Sequence, residues 1–330
     1  MRAAVVTGPG GPEVFAVQEI EDPQPGPEEA LVAVEATALN RADLLQRRGR
    51  YPVPVGIRGD VPGLEMAGTV IETGERVTAF KPGDQVMALL GGGGYASRVA
   101  VHERMLMPVP EGMTFEQAAS IPEVFLTAFD AMFLQCGLQP GERFLVHAAG
   151  SGVGTAAVQM ASVVGCETFG TAGSDEKLAK AAELGLDVGV NYHDADFAEV
   201  IAERTGGRGV DVILDVIGAE YWARNLQSLA PRGRMVIVGT MSGSKLEVDL
   251  GALMGKRLRV HGTMLRSRSL EEKATLTQEF ARRMLPLFAS GRLVPVIDAV
   301  YPLEEVAEAH RHMEANANFG KIVLQVGDGD

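Results

Sequence analysis

The segment that most constrains the fold of this chain is a short apolar run that leads through a glycine-rich turn into a helical pattern. Residues 143–148 have the character of a strand, 150–154 that of the turn, and 152–164 that of a helix. A glycine-rich turn alone also serves plain strand–helix packing. Between a strand and a helix, it lets the backbone approach a pyrophosphate, whose charge is held by the free amides of the helix. The pattern therefore predicts a dinucleotide-binding βαβ unit.

Strand and helix patterns alternate on the C-terminal side of this turn. Further strands are predicted at 167–171, 188–192, 210–215, 234–238 and 259–263, with helices at 175–184, 197–205 and 221–229. Six strands joined by crossover helices indicate an α/β fold with a doubly wound parallel sheet, the Rossmann fold.

The two ends of the chain have a different texture. The first third is β-rich, with strands predicted at 30–37, 65–72, 85–90 and 95–101 and one helix at 41–48. After residue 267 the patterns predict a helix at 270–289, a strand at 294–301, a helix at 303–313 and a strand at 321–326. A tail of this size is too small to fold alone. We therefore predict one discontinuous β-rich domain, 1–122 with 267–330, and a Rossmann domain, 123–266.

Charge and composition exclude several classes of protein. The formal net charge is −13, so a general basic surface for nucleic acid is absent. No apolar run approaches the roughly 20 residues of a membrane span, and a cytoplasmic protein is predicted. The two cysteines, Cys136 and Cys166, exclude a disulfide framework and a four-cysteine zinc site. Both are predicted to be buried thiols.

The choice between NADH and NADPH depends on the end of the second Rossmann strand. NAD-specific domains usually place an acid there to bind the ribose 2′-hydroxyl. Here the strand runs into Ala172, Gly173 and Ser174, and Lys177 follows shortly after. A lysine attracts a 2′-phosphate and a carboxylate repels it, so the pattern favours NADPH. Asp175 and Glu176 are a counter-signal, and Lys177 could instead be a solvated charge on a helix surface.

Several segments carry a resemblance to a known family. They are residues 38–44, 62–68, 121–123, 126–128, 148–154, 171–174, 265–268 and 313–316. On these segments the whole chain resembles the zeta-crystallin-type NADPH:quinone oxidoreductases of the medium-chain dehydrogenase/reductase superfamily. It is most similar to the tumour-suppressor-induced quinone oxidoreductase branch, in which a serine stands where Ser151 does and most relatives have glycine.

This resemblance implies a GroES-like β-rich catalytic domain beside the Rossmann domain, NADPH as cofactor, and a small-molecule quinone or enone as acceptor. It also implies a set of cofactor-binding residues. They are His147, Gly150, Ser151, Gly152, Val153, Gly154, Gly173, Ser174, Lys177, Tyr192, Val238, Gly239, Thr240, Met241, Met264, Leu265, Arg266 and Asn318.

Zinc dehydrogenases of the same superfamily bind their catalytic metal through a cysteine, the histidine of a Gly-His-Glu motif and a second cysteine. In this chain the first two places hold Asn40 and Leu64, with Glu65 completing the motif. A catalytic zinc needs three protein ligands and an open position. We therefore predict that no zinc is bound.

Without a metal, the protein has to stabilise the charge that forms on the acceptor by hydrogen bonds. Asn40 and Tyr51 are the predicted catalytic donors, because the resemblance places both near the nicotinamide. Asn40 could instead cap the helix that begins at Arg41, a common role for asparagine. Tyr51 could instead only shape the pocket.

Two other functions stay open. The same fold and cofactor would serve an alkenal or enoyl double-bond reductase, and Arg47, Arg48 and Arg50 would suit a carrier phosphate. A protein of another class, a non-catalytic NADPH-binding or structural protein, would keep the glycine-rich turn without turnover. The apolar strand at 259–263 is predicted to be a sheet edge through which two copies form a homodimer.

Overall fold

The computed structural model describes residues 1–327. The chain forms two compact units: the β-rich unit, Met1–Leu126 with the chain from Arg266 onward, and the parallel-sheet unit, Thr127–Leu265. The sequence had suggested a second boundary after Arg266, whereas the structure places this boundary before Arg266. Arg266 belongs to the β-rich unit because its guanidinium donates to the carbonyl of Gly91 and to the side chain of Gln46.

The N-terminal part of the chain contains seven strands and three α-helices, the last of which spans the boundary at Leu126. The strands are β1 (Arg2–Val6), β2 (Phe15–Glu19), β3 (Glu29–Ala38), β4 (Glu65–Thr73), β5 (Gln85–Leu89), β6 (Arg98–His102) and β7 (Leu106–Pro108). The helices are α1 (Arg41–Arg47), α2 (Phe115–Ala119) and α3 (Pro122–Phe129). β1 and β2 pair with each other, and β3 pairs with both β4 and β6.

The parallel-sheet unit confirms the predicted doubly wound α/β fold. Its strands are β8 (Arg143–Val146), β9 (Glu167–Ala172), β10 (Val188–Asn191), β11 (Val210–Asp215), β12 (Leu229–Ile237) and β13 (Arg259–Gly262). Its helices are α4 (Gly152–Val163), α5 (Asp175–Glu183), α6 (Phe197–Arg204), α7 (Trp222–Ser228) and α8 (Leu250–Lys256). All neighbouring strands are parallel, in the order β10-β9-β8-β11-β12-β13. This is the strand order of a complete dinucleotide-binding sheet.

The C-terminal segment completes the sheet of the β-rich unit. It contains α9 (Leu270–Ala289), β14 (Ile297–Pro302), α10 (Val306–Glu314) and β15 (Lys321–Gln325). β15 pairs antiparallel with β3, with Val323 opposite Ala38, and parallel with β14. The last strand of the chain therefore lies beside the strand that leads to Asn40.

Some local patterns misled the prediction of elements. The predicted strand at 95–101 is a regular strand only from Arg98, and before it Ala96 forms a single antiparallel bridge with Ala3 of β1. Tyr95 and Ala96 are completely buried, so their apolar character reflects packing as well as this pairing. The elements β1, β2, β7, α2, α3 and α8 were not predicted, and they are short, so their periodicity is weak.

No helix within residues 1–327 has the length and apolar composition needed to cross a membrane. Cys136 and Cys166 are both buried and free, as predicted. Burial raises the pKa of the Cys136 thiol to about 12 and that of Cys166 to about 11. Neither thiol is therefore activated as a nucleophile.

Candidate active site

The glycine-rich turn joins β8 to α4. Ser151 is the N-cap residue of α4, and its Oγ accepts a hydrogen bond from the amide of Gly154 at 3.0 Å. Ala148 adopts a positive φ of 54°. A side chain at Gly154 would overlap with the carbonyl oxygen of Ala148, so glycine is required there. The predicted residues of this turn thus present the positive end of α4 to an anion.

His147, a predicted cofactor-binding residue, lies in the core of the parallel-sheet unit and not on its surface. Its side chain is completely buried, and Nε2 donates to Asn225 Oδ1 at 2.7 Å while Nδ1 accepts from the Thr171 hydroxyl at 3.0 Å. Burial lowers the pKa of His147 to about 4, so the ring is neutral near pH 7. The imidazole therefore supports the turn from within the core, and its side chain is not available to a ligand.

Residues 238–241, also predicted for the cofactor, directly follow β12. The amide of Val238 donates to the carbonyl of Asp215 at 2.9 Å, and that of Met241 donates to Val216 at 3.2 Å. The Asp215 carboxylate accepts hydrogen bonds from backbone amides of the turn after β11. Burial raises the pKa of Asp215 to about 6. These bonds order the carboxyl ends of two strands, the side of an open α/β sheet at which ligands bind.

The tip of β9 brings together the residues predicted for the 2′-phosphate. Ser174 is the N-cap residue of α5, and its Oγ accepts from the amide of Lys177 at 3.3 Å. A Cβ built on Gly173 would lie 2.5 Å from the hydroxyl oxygen of Tyr192, so this tyrosine borders the same tip. Tyr192 is exposed. The Ser174 hydroxyl, the Tyr192 phenol and the first turn of α5 therefore lie around the same position at the tip of β9.

Asp175, the counter-signal for NADPH, lies on that first turn. Its Oδ1 accepts a hydrogen bond from Asn191 Nδ2 at 3.1 Å, at the end of β10. The same Nδ2 donates to Asp194 at 2.6 Å. The carboxylate of Asp175 is thus engaged by a neighbouring strand end.

The remaining predicted cofactor residues fall in different units. Met264 is exposed and Leu265 buried in the parallel-sheet unit, whereas Arg266 and Asn318 belong to the β-rich unit. Asn318 Nδ2 donates to the carbonyl of Gly320 at 2.8 Å and closes the turn before β15. Its amide therefore has a local structural partner.

Asn40 is the centre of a buried polar network. Its Nδ2 donates to Glu65 Oε1 at 2.8 Å and to the carbonyl of Ala38 at 3.3 Å. The ammonium of Lys321 donates to Asn40 Oδ1 at 2.7 Å, to Glu65 Oε1 at 2.8 Å and to the carbonyl of Leu39 at 2.6 Å. Both amide hydrogens of Asn40 are thus already donated. Asn40 also occupies the N-cap position of α1, the alternative that the sequence had left open.

A second buried network lies on the same helix. The Asp43 carboxylate accepts a hydrogen bond from the backbone amide of Asn40 at 2.7 Å and another from the Tyr95 hydroxyl at 3.1 Å. Tyr95 also contacts His310 Nε2 at 3.3 Å, and Arg47 donates to His310 Nδ1 at 3.0 Å. Burial raises the pKa of Asp43 to about 6 and lowers that of His310 to about 3. The network holds α1 against the core of the β-rich unit. Arg47 therefore has a structural role.

Tyr51 lies just beyond α1 and is half-buried. Its ring faces the guanidinium of Arg266, whose Cζ is 4.8 Å from the ring centroid. Tyr51 and Gln46 line a cavity of about 530 Å³ in the β-rich unit. Burial raises the pKa of Tyr51, while the charge of Arg266 lowers it. The hydroxyl is therefore a protonated hydrogen-bond donor at neutral pH.

Comparison with known proteins agrees with this architecture. A family model of the alcohol dehydrogenase GroES-like domain matches residues 26–111, and one of the zinc-binding dehydrogenases matches residues 152–287. The human quinone oxidoreductase is 32% identical over 98% of this chain and 97% of its own length. The human synaptic vesicle membrane protein VAT-1 homolog is 34% identical over 99% of this chain and 87% of its own.

Solved structures give the same result. The Escherichia coli quinone oxidoreductase complexed with NADPH superimposes with a TM-score of 0.88 and 32% identity, covering 99% of this chain and 100% of that one. This chain belongs to the quinone oxidoreductases of the medium-chain dehydrogenase/reductase superfamily. The predicted family, the GroES-like and Rossmann folds and the assignment as an oxidoreductase are thereby confirmed. The CurK enoyl reductase shares this fold, with a TM-score of 0.88, 30% identity and 99% of both chains covered.

The residues of this oxidoreductase do not fit the zinc site of its zinc-binding relatives. Leu64 offers no ligand atom, and Asn40 and Glu65 are bonded to the ammonium of Lys321. The other oxygen of Glu65 accepts from the amide of Glu123 at 2.8 Å. Within residues 1–327, no group of three or more His, Cys, Asp or Glu side chains could hold a metal ion.

Lys321 is a functional candidate that sequence reasoning missed in this oxidoreductase. Its side chain is 3% exposed, although lysine is among the residues least often buried. A signal was available, because Lys321 directly precedes the apolar run of the last strand. Its partners could not be inferred, since Asn40 is 281 positions away.

Proposed function

We propose that this oxidoreductase reduces quinones and related conjugated carbonyls with NADPH, and that it does so without zinc. The observation that carries the proposal is that Asn40 and Leu64 stand at two positions of the metal ligands and that Asn40 is bonded there to Lys321 and Glu65. Without a Lewis acid, alcohol oxidation loses the group that would stabilise an alkoxide. A quinone or an enone needs less help, because its conjugated system spreads the charge that a hydride brings.

NADPH is supported by the tip of β9, where Ala172, Gly173 and Ser174 take the place of the acid used by NAD-specific domains. The quinone oxidoreductase of Escherichia coli, described as complexed with NADPH, shares this fold. Ser174, Lys177 and Tyr192 would hold the 2′-phosphate, and the amides at the start of α4 would hold the pyrophosphate.

When bound, NADPH supplies the hydride. The β-rich unit contributes the group that stabilises the product of hydride addition. The Tyr51 hydroxyl donates a hydrogen bond to the carbonyl oxygen of the acceptor, which gains negative charge, and a proton from water completes the reduction. Asn40 would serve as a second donor only by giving up a bond to Glu65 or Ala38, so we assign it chiefly to the support of this region.

Reduction of alkenals or enoyl groups is a second candidate, favoured by the likeness to the CurK enoyl reductase. A carrier phosphate would need free cations near Tyr51. Arg47 is completely buried and pairs with Glu314, and Arg48 donates to the same carboxylate at 2.5 Å. Two of the three arginines are therefore neutralised by one acid, which favours the smaller, uncharged acceptors.

We also propose a cytoplasmic homodimer assembled through β13, the edge strand of the parallel sheet. Leu250 and Met254, on the helix that precedes this strand, are exposed by 66% and 76%. Such apolar side chains beside an unpaired edge are suited to burial against a second copy. Sedimentation at micromolar concentration should give a dimer mass, and a monomer would contradict this assembly.

The proposed activity is tested by steady-state kinetics with a panel of quinones, alkenals and enoyl thioesters, each with NADPH and NADH. We expect the largest kcat/KM for quinones with NADPH, undiminished after dialysis against a chelator. Metal analysis of the active protein should find substoichiometric zinc. If the protein reduces none of these acceptors, the non-catalytic alternative is supported. Loss of activity on chelation would refute zinc independence.

A further inference from the structure

The proposed function leaves the role of Arg266 unexplained. Its side chain is 6% exposed, so a permanent positive charge is held away from water. Nε donates to the carbonyl of Gly91 at 2.8 Å and Nη2 donates to Gln46 Oε1 at 2.6 Å. These two bonds hold one edge of the guanidinium plane in a fixed orientation.

The third nitrogen of this group, Nη1, is buried and has no hydrogen-bond acceptor among residues 1–327. Buried polar groups in native proteins almost always have partners, and an unsatisfied donor is costly when it is charged. An apolar side chain such as methionine would fill this space without that cost. The arginine is therefore poorly explained by stability alone.

What the fixed guanidinium does contact is the face of Tyr51. The distance of 4.8 Å from Cζ to the ring centroid is that of a cation–π interaction. The stack restricts the rotation of the ring, and the nearby positive charge stabilises electron density on the phenol oxygen. In agreement with this, the charge of Arg266 opposes the rise in the pKa of Tyr51 that burial causes.

We propose that Arg266 is a positioning residue that orients Tyr51 and strengthens its hydroxyl as a donor to the carbonyl oxygen of the acceptor. This inference rests on the proposed function. The hydride carries two electrons from NADPH to the conjugated acceptor, NADP⁺ is left, and the charge reaches the carbonyl oxygen. The hydroxyl of Tyr51 stabilises that charge until water supplies the proton.

The test is a double-mutant cycle. Arg266→Met and Arg266→Lys are made in the wild-type chain and in Tyr51→Phe, and kcat for a quinone is measured with the dissociation constant of NADPH. In the wild-type background we expect Arg266→Met to lower kcat about five-fold, less than the roughly ten-fold loss expected of Tyr51→Phe, because Arg266 acts only through that hydroxyl. Arg266→Lys should recover part of the loss, because it restores the charge without the planar stack. In Tyr51→Phe the same changes should alter kcat by less than about two-fold, since no hydroxyl remains to act through.

A matched control is Arg282→Met, which removes an exposed arginine from α9 and should leave kcat unchanged. Equal losses of kcat in both backgrounds would mean that Arg266 only supports the fold. A weaker binding of NADPH with unchanged kcat would return Arg266 to the cofactor site that the family resemblance suggested. Either result overturns the inference while quinone reduction by the wild type stands.

The electrostatic part is also tested without turnover. The titration of Tyr51 is followed by tyrosinate absorbance, with the signal of the other four tyrosines removed by subtracting the spectrum of Tyr51→Phe. We expect Arg266→Met to raise the pKa of Tyr51 and Arg266→Lys to raise it less. An unchanged titration refutes the coupling. If the wild type reduces no acceptor, the proposed function fails, and this titration still decides whether Arg266 acts on the phenol.

Discussion

At the scale of single residues, Asn40 and Tyr51 show how the partners of a side chain decide its chemistry. Both are donors by type, and both lie beside α1. The side-chain amide of Asn40 donates its hydrogens to Glu65 and Ala38, whereas the ring of Tyr51 contacts the guanidinium of Arg266. Of the two, Tyr51 is therefore the better candidate for contact with the acceptor.

Tyr51→Phe should lower kcat and kcat/KM together for quinone reduction. Loss of an oxyanion donor costs about 10²–10³ in rate in a dry site, and we expect about ten-fold because a quinone delocalises its charge. Tyr51→Ala should in addition raise KM, since it removes the ring from the cavity wall. Steady-state kinetics of both variants separate the roles: near-normal kcat in Tyr51→Phe would leave Tyr51 as a residue that only shapes the pocket.

The residues at the tip of β9 should determine the preference for NADPH. Lys177→Ala should raise the dissociation constant of NADPH about ten-fold, the effect of losing one charge-assisted contact, and leave NADH unchanged. Ser174→Asp should act in the same direction by repulsion, because aspartate still caps α5 but adds a negative charge.

Ser174→Asn is the control for this pair, since it keeps the cap without the charge. Binding is measured by the fluorescence of the reduced nicotinamide. If Lys177→Ala binds NADPH as tightly as the wild type, the 2′-phosphate lies elsewhere.

At the scale of elements, the start of α4 illustrates how one side chain serves a helix and a ligand site together. Ser151 caps the helix through the amide of Gly154. The capping bond uses one free amide and leaves the others for an anion. Ser151 is thus compatible with an anion site at the start of this helix.

Ser151→Gly should bind NADPH within about three-fold of the wild type, because loss of the cap to glycine costs only a few tenths of a kcal/mol. Ser151→Val should weaken binding at least about ten-fold, because a branched Cβ would meet the pyrophosphate that approaches this turn. Ser151→Thr keeps the hydroxyl and adds only the branch, so it distinguishes the loss of the cap from steric exclusion. Equal affinity in Ser151→Val and the wild type would contradict the placement of the pyrophosphate.

At the scale of the whole molecule, buried ionisable groups of opposite character occur in both units. Folding lowers the pKa of His147 to about 4 and of His310 to about 3, and raises that of Asp43 and Asp215 to about 6. The histidines bind fewer protons when folded, so their contribution to stability is lost as pH falls from about 6.5. The aspartates bind more protons when folded, so theirs is lost as pH rises from about 4 to 6. The two effects oppose each other between pH 4 and 6.

Removing one aspartate should expose the effect of the histidines. Asp215→Asn lowers stability at neutral pH because Asn225 Nδ2 loses the carboxylate oxygen that accepts its hydrogen bond. Relative to the wild type, its stability should fall more steeply as pH decreases from 6 to 4, by at most about 1.4 kcal/mol per pH unit. Urea denaturation at several pH values measures this slope, with the exposed Glu304→Gln as control. Parallel curves for Asp215→Asn and the wild type would show that Asp215 does not retain a raised pKa.

Residue patterns alone determined the Rossmann sheet and the glycine-rich turn, because periodicity and turn chemistry act between residues close in the chain. The family, with Asn40 and Tyr51 as candidate donors, followed from the resemblance of several segments to a known family. Only the tertiary structure decided which of them is free to act. Lys321 reaches Asn40 across 281 positions, and Arg266 reaches Gln46 across 220. Satisfaction of buried charge depends on contacts between distant segments, which no local pattern specifies.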